Sequence, residues 1–154
     1  MRLCAAAAFA FALTGCLADP TELVLVVQSD LAPTHDIDRV VIHLTSPAGA
    51  SGHINVPLQA PDAPGFPLTL ALTPVGEALS PVVLATEAYD GERLVVRAEA
   101  VTSFVAFERR AVPLSLSSGC VGVTCDGDDA VCVLGQCVDR RIPGRALPAA
   151  PATF

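Results

Sequence analysis

Lysine and tryptophan are missing from this 154-residue sequence, tyrosine and methionine occur once each, and aromatic residues make up 5%. Without lysine there is no Schiff-base nucleophile and no Walker loop, whose phosphate chemistry needs that ammonium group. The patterns G-x-S-x-G and H-E-x-x-H are also missing, which removes the nucleophile elbow and the helical zinc-protease pair. So few aromatics leave little platform for stacking sugars. Basic charge is scarce too: nine arginines face 16 acidic residues for a net charge of −7, and no more than two basic residues are adjacent. Such a chain does not neutralise phosphates, so nucleic acid is not an expected partner. No apolar run reaches the roughly 20 residues of a membrane-spanning helix. No segment keeps a 3.6-residue apolar period long enough for a substantial helix. These absences point away from an enzyme and imply no cofactor.

What is present begins with an address. Arg2 precedes about eleven mostly apolar residues that run up to Thr14, Gly15 and Cys16. This is the layout of a removable signal peptide, expected over residues 1–15. The segment Leu13-Thr14-Gly15-Cys16 resembles the bacterial lipobox, in which a long apolar residue and two small residues precede an invariant cysteine. The resemblance implies cleavage before Cys16, diacylglycerol on its thiol and an acylated mature N-terminus. Ordinary cleavage, leaving a free thiol, is the competing reading. Two or three acyl chains, at about 0.8 kcal/mol per buried methylene, anchor a domain in effect permanently, so the membrane is an expected partner through lipid alone. Leu17 and Ala18 follow the cysteine where an aspartate would signal retention, which in a diderm host implies sorting to the outer membrane. Residues 16–21 are then a tether, and the roughly 139 residues of the mature chain suffice for one core but not two.

Four further cysteines, Cys120, Cys125, Cys132 and Cys137, form a C-x4-C-x6-C-x4-C segment over residues 118–139. In an exported chain this spacing reads as two disulfides. Zinc is the first alternative, though zinc hooks space each pair by two to four residues and separate the pairs further. A redox pair is the second, without the C-x-x-C spacing that lowers a thiol pKa. Spacing does not fix the connectivity. The preferred expectation is interleaved, Cys120 with Cys132 and Cys125 with Cys137, closing loops that each contribute about 3 kcal/mol in the chain-entropy model. The ending Gly135-Gln136-Cys137 resembles the closing loop of small EGF-like modules, two cysteines short of that pattern.

Between these ends, short apolar runs alternate with proline, glycine and aspartate, which reads as all β. Strands are expected over residues 22–28, 39–45, 53–58, 67–72, 81–89, 93–101 and 104–116, the last broken near Pro113. Val40, Ile42 and Leu44 alternate with Val41, His43 and Thr45, and Leu94, Val96, Ala98 and Ala100 with Val95, Arg97, Glu99 and Val101, giving each strand one buried face. Asp90-Gly91 predicts a two-residue type I′ turn flanked by Tyr89 and Glu92. In strand number and length the region 22–117 resembles an immunoglobulin or fibronectin type sandwich, without the buried tryptophan and inter-sheet cysteines of antibody domains. Residues 140–154, rich in proline and small residues, are expected to be a disordered or extended tail.

Four side-chain groups are candidate sites. His35 beside Asp36 and Asp38 offers a metal or acid–base group, against aspartates that cap turns. Asp126, Asp128 and Asp129 offer alternating oxygens to calcium in a loop too short for an EF-hand, against a solvated acidic loop. His43 and His53 alternate with core residues and read as hydrogen-bonded sheet positions. Arg109 and Arg110 point to opposite faces of one strand, with Glu108 or Glu99 as partners and a solvated edge as the alternative. Together these expectations describe a non-catalytic, lipid-anchored surface protein that presents a β-sandwich to protein partners or serves envelope structure. The alternative is a calcium-dependent or metal-dependent extracellular binding module.

Overall fold

The computed structural model describes residues 20–46, 49–75 and 79–151; the leader, the lipobox and Cys16 lie outside them. Among the described residues there are nine strands: β1 (Glu22–Ser29), β2 (Arg39–Thr45), β3 (Ser51–Pro57), β4 (Leu68–Leu72), β5 (Pro81–Asp90), β6 (Arg93–Ser103), β7 (Arg109–Leu116), β8 (Ala130–Val133) and β9 (Gln136–Asp139). The first seven form two sheets, ordered β4-β1-β7 and β3-β2-β5-β6, and the last two form a separate hairpin. The expected all-β sandwich of seven strands with a stapled segment behind it is therefore what the chain folds into. Its first strand lies between the fourth and the seventh, antiparallel to one and parallel to the other.

Apolar periodicity explains the layers. Leu23, Leu25 and Val27 of β1 and Val112, Leu114 and Leu116 of β7 share a core with Val40, Ile42, Leu84, Val96, Ala98 and Ala100 of the other sheet. A side-chain period of two puts these residues inward and their neighbours outward. Leu94 departs from the expected pattern and is half exposed, because it sits beside the turn where β5 and β6 run out of core to cover.

Three sequence expectations need correction. The β5–β6 turn is one residue later than Asp90-Gly91: Asp90 pairs with Arg93, so Gly91 and Glu92 form the tip. Of the two, only Gly91 has a positive φ, +60°, which excludes a type I′ turn and fits glycine at the first central position of a II′ turn. The strand expected from residue 104 starts at Arg109, because Val105 to Glu108 close a turn in which Phe107 takes φ +59°. Pro113 does not break β7. The Ala111 N–H points away from β1, to the Pro148 carbonyl at 2.9 Å, and Pro113 two residues on has its missing N–H on that same open side.

The tail is the third correction, since residues 140–151 are extended but not disordered. Arg140 and Ile142 bond to both sides of Val101 on the β6 edge, at 2.8 and 2.9 Å, and Ala150 donates to Arg109 on the β7 edge at 3.0 Å. Between them Gly144–Ala146 make one 3-10 turn and Leu147 is buried in the core. A proline-rich strand without its own partner is ordered here because two open sheet edges supply its hydrogen bonds. The segment straps β6 to β7.

Candidate functional site

The cysteine segment follows the sandwich as a separate hairpin, but it packs into the sandwich's core. Cys120 bonds to Cys132 and Cys125 to Cys137, each pair with Cα atoms 5.7 Å apart, which is the interleaved pairing expected. Cys120 and Cys132 are only 4% and 8% exposed and belong to the main core. Asp30, just past β1, fixes the start of the segment by accepting the Ser118 N–H at 2.6 Å and the Ser118 and Ser117 hydroxyls at 3.0 and 3.1 Å. The Ser118 N–H is the main reason its carboxyl is held below the ordinary range. Two disulfides fit an oxidising, extracellular setting. No helix among the described residues is long and apolar enough to cross a membrane.

Between β6 and this segment runs a cleft of about 470 Å³, with Leu94, Arg97 and Glu99 on one wall and Val123, Thr124 and Asp128 on the other. A second cleft of about 280 Å³ lies beyond it, lined by Pro113, Val133, Val138 and Ile142. Glu99 and Arg140 border both clefts and are ion-paired to each other. The walls of both clefts mix apolar and charged side chains.

A chain of charges crosses the outer face of the sheet toward that divide. Glu87 accepts the Tyr89 hydroxyl at 2.7 Å and an Arg97 N–H at 3.1 Å, and meets His43 Nε2 at 3.0 Å. Arg97 also bonds Glu99, Glu99 bonds Arg140, and Arg140 reaches Asp129 at 3.2 Å, where Arg141 joins at 3.0 Å. Burial pushes the Glu87 carboxyl up, but Tyr89, His43 and Arg97 outweigh it and leave it below the ordinary range. For Asp129 desolvation likewise works upward and the two arginines prevail, so it too is lowered. Sequence reading missed this array. Its signal was the outward spacing of Glu87 and Tyr89 against Arg97 and Glu99.

The weighed groups come together only in part. His35 Nδ1 lies 2.7 Å from Asp36, whose other oxygen accepts the Ala32 N–H, whereas Asp38 turns away to accept the Gly91 N–H at 2.8 Å. The Ala32 N–H, then His35, lowers the Asp36 carboxyl. His43 and His53 are direct cross-strand partners with rings 6.3 Å apart, and His43 is hydrogen-bonded to Glu87 as a sheet residue. Arg110 pairs with Glu108, as anticipated, while Arg109 pairs with Glu22 and also reaches the Pro151 carbonyl at 2.7 Å. Of the calcium candidates, Asp129 is engaged by two arginines. Among the described residues no three His, Cys, Asp or Glu side chains converge on a point that could hold a metal ion. Calcium or chelator is accordingly expected to leave the melting temperature of the full chain unchanged; a calcium-dependent rise would restore Asp126, Asp128 and Asp129 as ligands.

Acid is expected to act differently. Asp30, Asp36, Glu87 and Asp129 all bind protons less readily in the fold than in the unfolded chain. The unfolded state therefore takes up protons first as the pH falls. The stability these groups contribute is complete above the ordinary carboxylate range and is lost below about pH 4. Urea midpoints flat from neutral to about pH 5 and falling below that are the expected record; a midpoint that rises on acidification would contradict the pairings.

Comparison of the chain with family models, curated proteins and solved structures finds no match in any of the three. The functional reading accordingly rests on this chain's own residues and geometry.

Proposed function

We propose that this protein is a non-catalytic lipoprotein of the cell envelope, anchored through Cys16 and presenting its sandwich for protein contacts or envelope structure. The observation that carries the reading is the pair of interleaved disulfides within the cysteine segment, one of which, Cys120–Cys132, is itself packed in the core, a build suited to an oxidising exterior. Leu13-Thr14-Gly15-Cys16 supplies the anchor by its likeness to the lipobox. The described chain enters β1 at one end, and the 30–38 loop, the Gly91-Glu92 tip and the start of the cysteine segment gather at the other. Loops on a scaffold this closed are the natural contact surface, and the 470 Å³ cleft opens among them.

The anchor is tested by metabolic labelling with an alkyne fatty acid: incorporation into the wild type and none into Cys16→Ser is expected. Labelling that survives Cys16→Ser would remove the anchor from that residue. For presentation, a photo-crosslinking residue at Glu92 or Val123 in living cells is expected to give discrete protein adducts. Adducts confined to positions near Thr21, or none at either end, would count against distal presentation.

A further inference from the structure

We propose that the end of the sandwich from which the tether emerges rests in the lipid surface, so that the domain stands on the membrane rather than swinging from its anchor. The proposal rests on the lipid-anchor reading of Cys16. It is carried by what surrounds the start of β1. Leu23 pairs with Leu72, the last residue of β4, and Glu22 pairs with Arg109, the first residue of β7. The loop after β4 and the loop before β7 therefore flank the entry point of the chain on both sides. Both expose large apolar side chains: Val75 is 94% exposed and Leu79 42% in the first, and Phe107 is 68% exposed in the second.

Phe107 is the most telling of these. A bulky residue in the left-handed region is disfavoured, yet Phe107 holds φ +59° with its N–H donated to Thr21 Oγ1 at 2.9 Å. Its backbone is thus tied to the residue through which the tether enters the fold, while its ring is left outside. Exposed apolar groups gathered at one place mark a protein or membrane contact. Chain length favours the membrane here. Four residues lie between Cys16 and Thr21, and the five Cα-to-Cα steps span at most about 18 Å when extended, so an anchored Cys16 keeps this end within reach of the bilayer at all times. A second, weak apolar contact beside a lipid anchor adds to it without needing affinity of its own.

Charge does not drive the contact. The loops 46–50, 73–80 and 104–108 contain two acidic residues, Glu77 and Glu108, the latter paired with Arg110, and the strap adds a single exposed arginine, Arg145, next to the Gly144 that packs on Ser103 and Val105. Contact is therefore expected on zwitterionic lipid and in high salt alike.

The absence of tryptophan from the chain makes the test direct. The full-length lipidated protein carrying Phe107→Trp, or in a second preparation Val75→Trp, is placed in phosphatidylcholine vesicles with and without bromine on the acyl chains. Glu92→Trp, at the far hairpin tip, is the control. Loss of emission with brominated lipid for Phe107→Trp or Val75→Trp, undiminished in high salt, together with none for Glu92→Trp, is the expected result. If neither tether-end probe is quenched while the protein still floats with the vesicles, the anchor stands and the docked orientation is overturned. Emission shielded from water but indifferent to bromine would assign the surface to a second copy or another protein, again overturning it. Protein that does not float at all would overturn the anchor and the docking together.

Discussion

Replacing both cysteines of the Cys120–Cys132 bridge by alanine is expected to lower unfolding stability by about 4 kcal/mol, and the same change at Cys125–Cys137 by about 2–3 kcal/mol. The two bridges have the same sequence separation, 12 residues, so chain entropy alone assigns them equal effects. They differ in packing. Cys120 and Cys132 are core residues, whereas Cys137 is exposed and Cys125 half-buried. Losing the first bridge also loosens the contact of the cysteine segment with β6, and with it the walls of the larger cleft. Urea unfolding of the two double variants without reductant measures the difference; equal losses would mean that the segment is an independent appendage after all.

Gly144→Ala is expected to cost roughly 2–3 kcal/mol, the cost of forcing an atom into filled space. A Cβ at that position would lie 2.2 Å from the Ser103 carbonyl oxygen and 3.1 Å from Val105 Cγ2. The carbonyl is backbone and cannot swing aside, so the strap must lift from the β6 edge and draw Leu147 out of the core. Two sheet edges that the strap covers would then be exposed to pairing with other chains. Gly65→Ala, where a Cβ would meet nothing within 4 Å, serves as the neutral control. The readout is thermal unfolding together with proteolysis near residue 145. Equal melting points for the two variants, with residues 140–151 equally protected, would show that the strap does not hold the edges closed.

How much of this was legible in the sequence follows from the range of the interactions involved. Strands whose alternation is local, such as β2 and β6, were placed to within two residues at either end. The interleaved disulfides match the preferred pairing, although the spacing of the four cysteines left the connectivity open. The charge array was not legible. A turn at Asp90-Gly91 would set Leu94 opposite Glu87; the later turn and the bulge at Ala88 and Tyr89 set Arg97 there instead. A one-residue error in a turn is enough to hide a cross-strand ion pair. The strap was illegible for a different reason. Its order comes from the free edges of β6 and β7, and no local propensity of a proline-rich segment encodes a partner that distant.

The intact mass of the protein extracted from membranes without reductant tests the anchored, stapled domain in one measurement. The expected mass is that of a chain beginning at Cys16, increased by its two or three acyl groups and lower by the four protons that two disulfides remove. A mass with an unmodified Cys16, or with four free thiols holding a metal, would contradict the anchor or the staple and return the chain to a soluble or metal-dependent role.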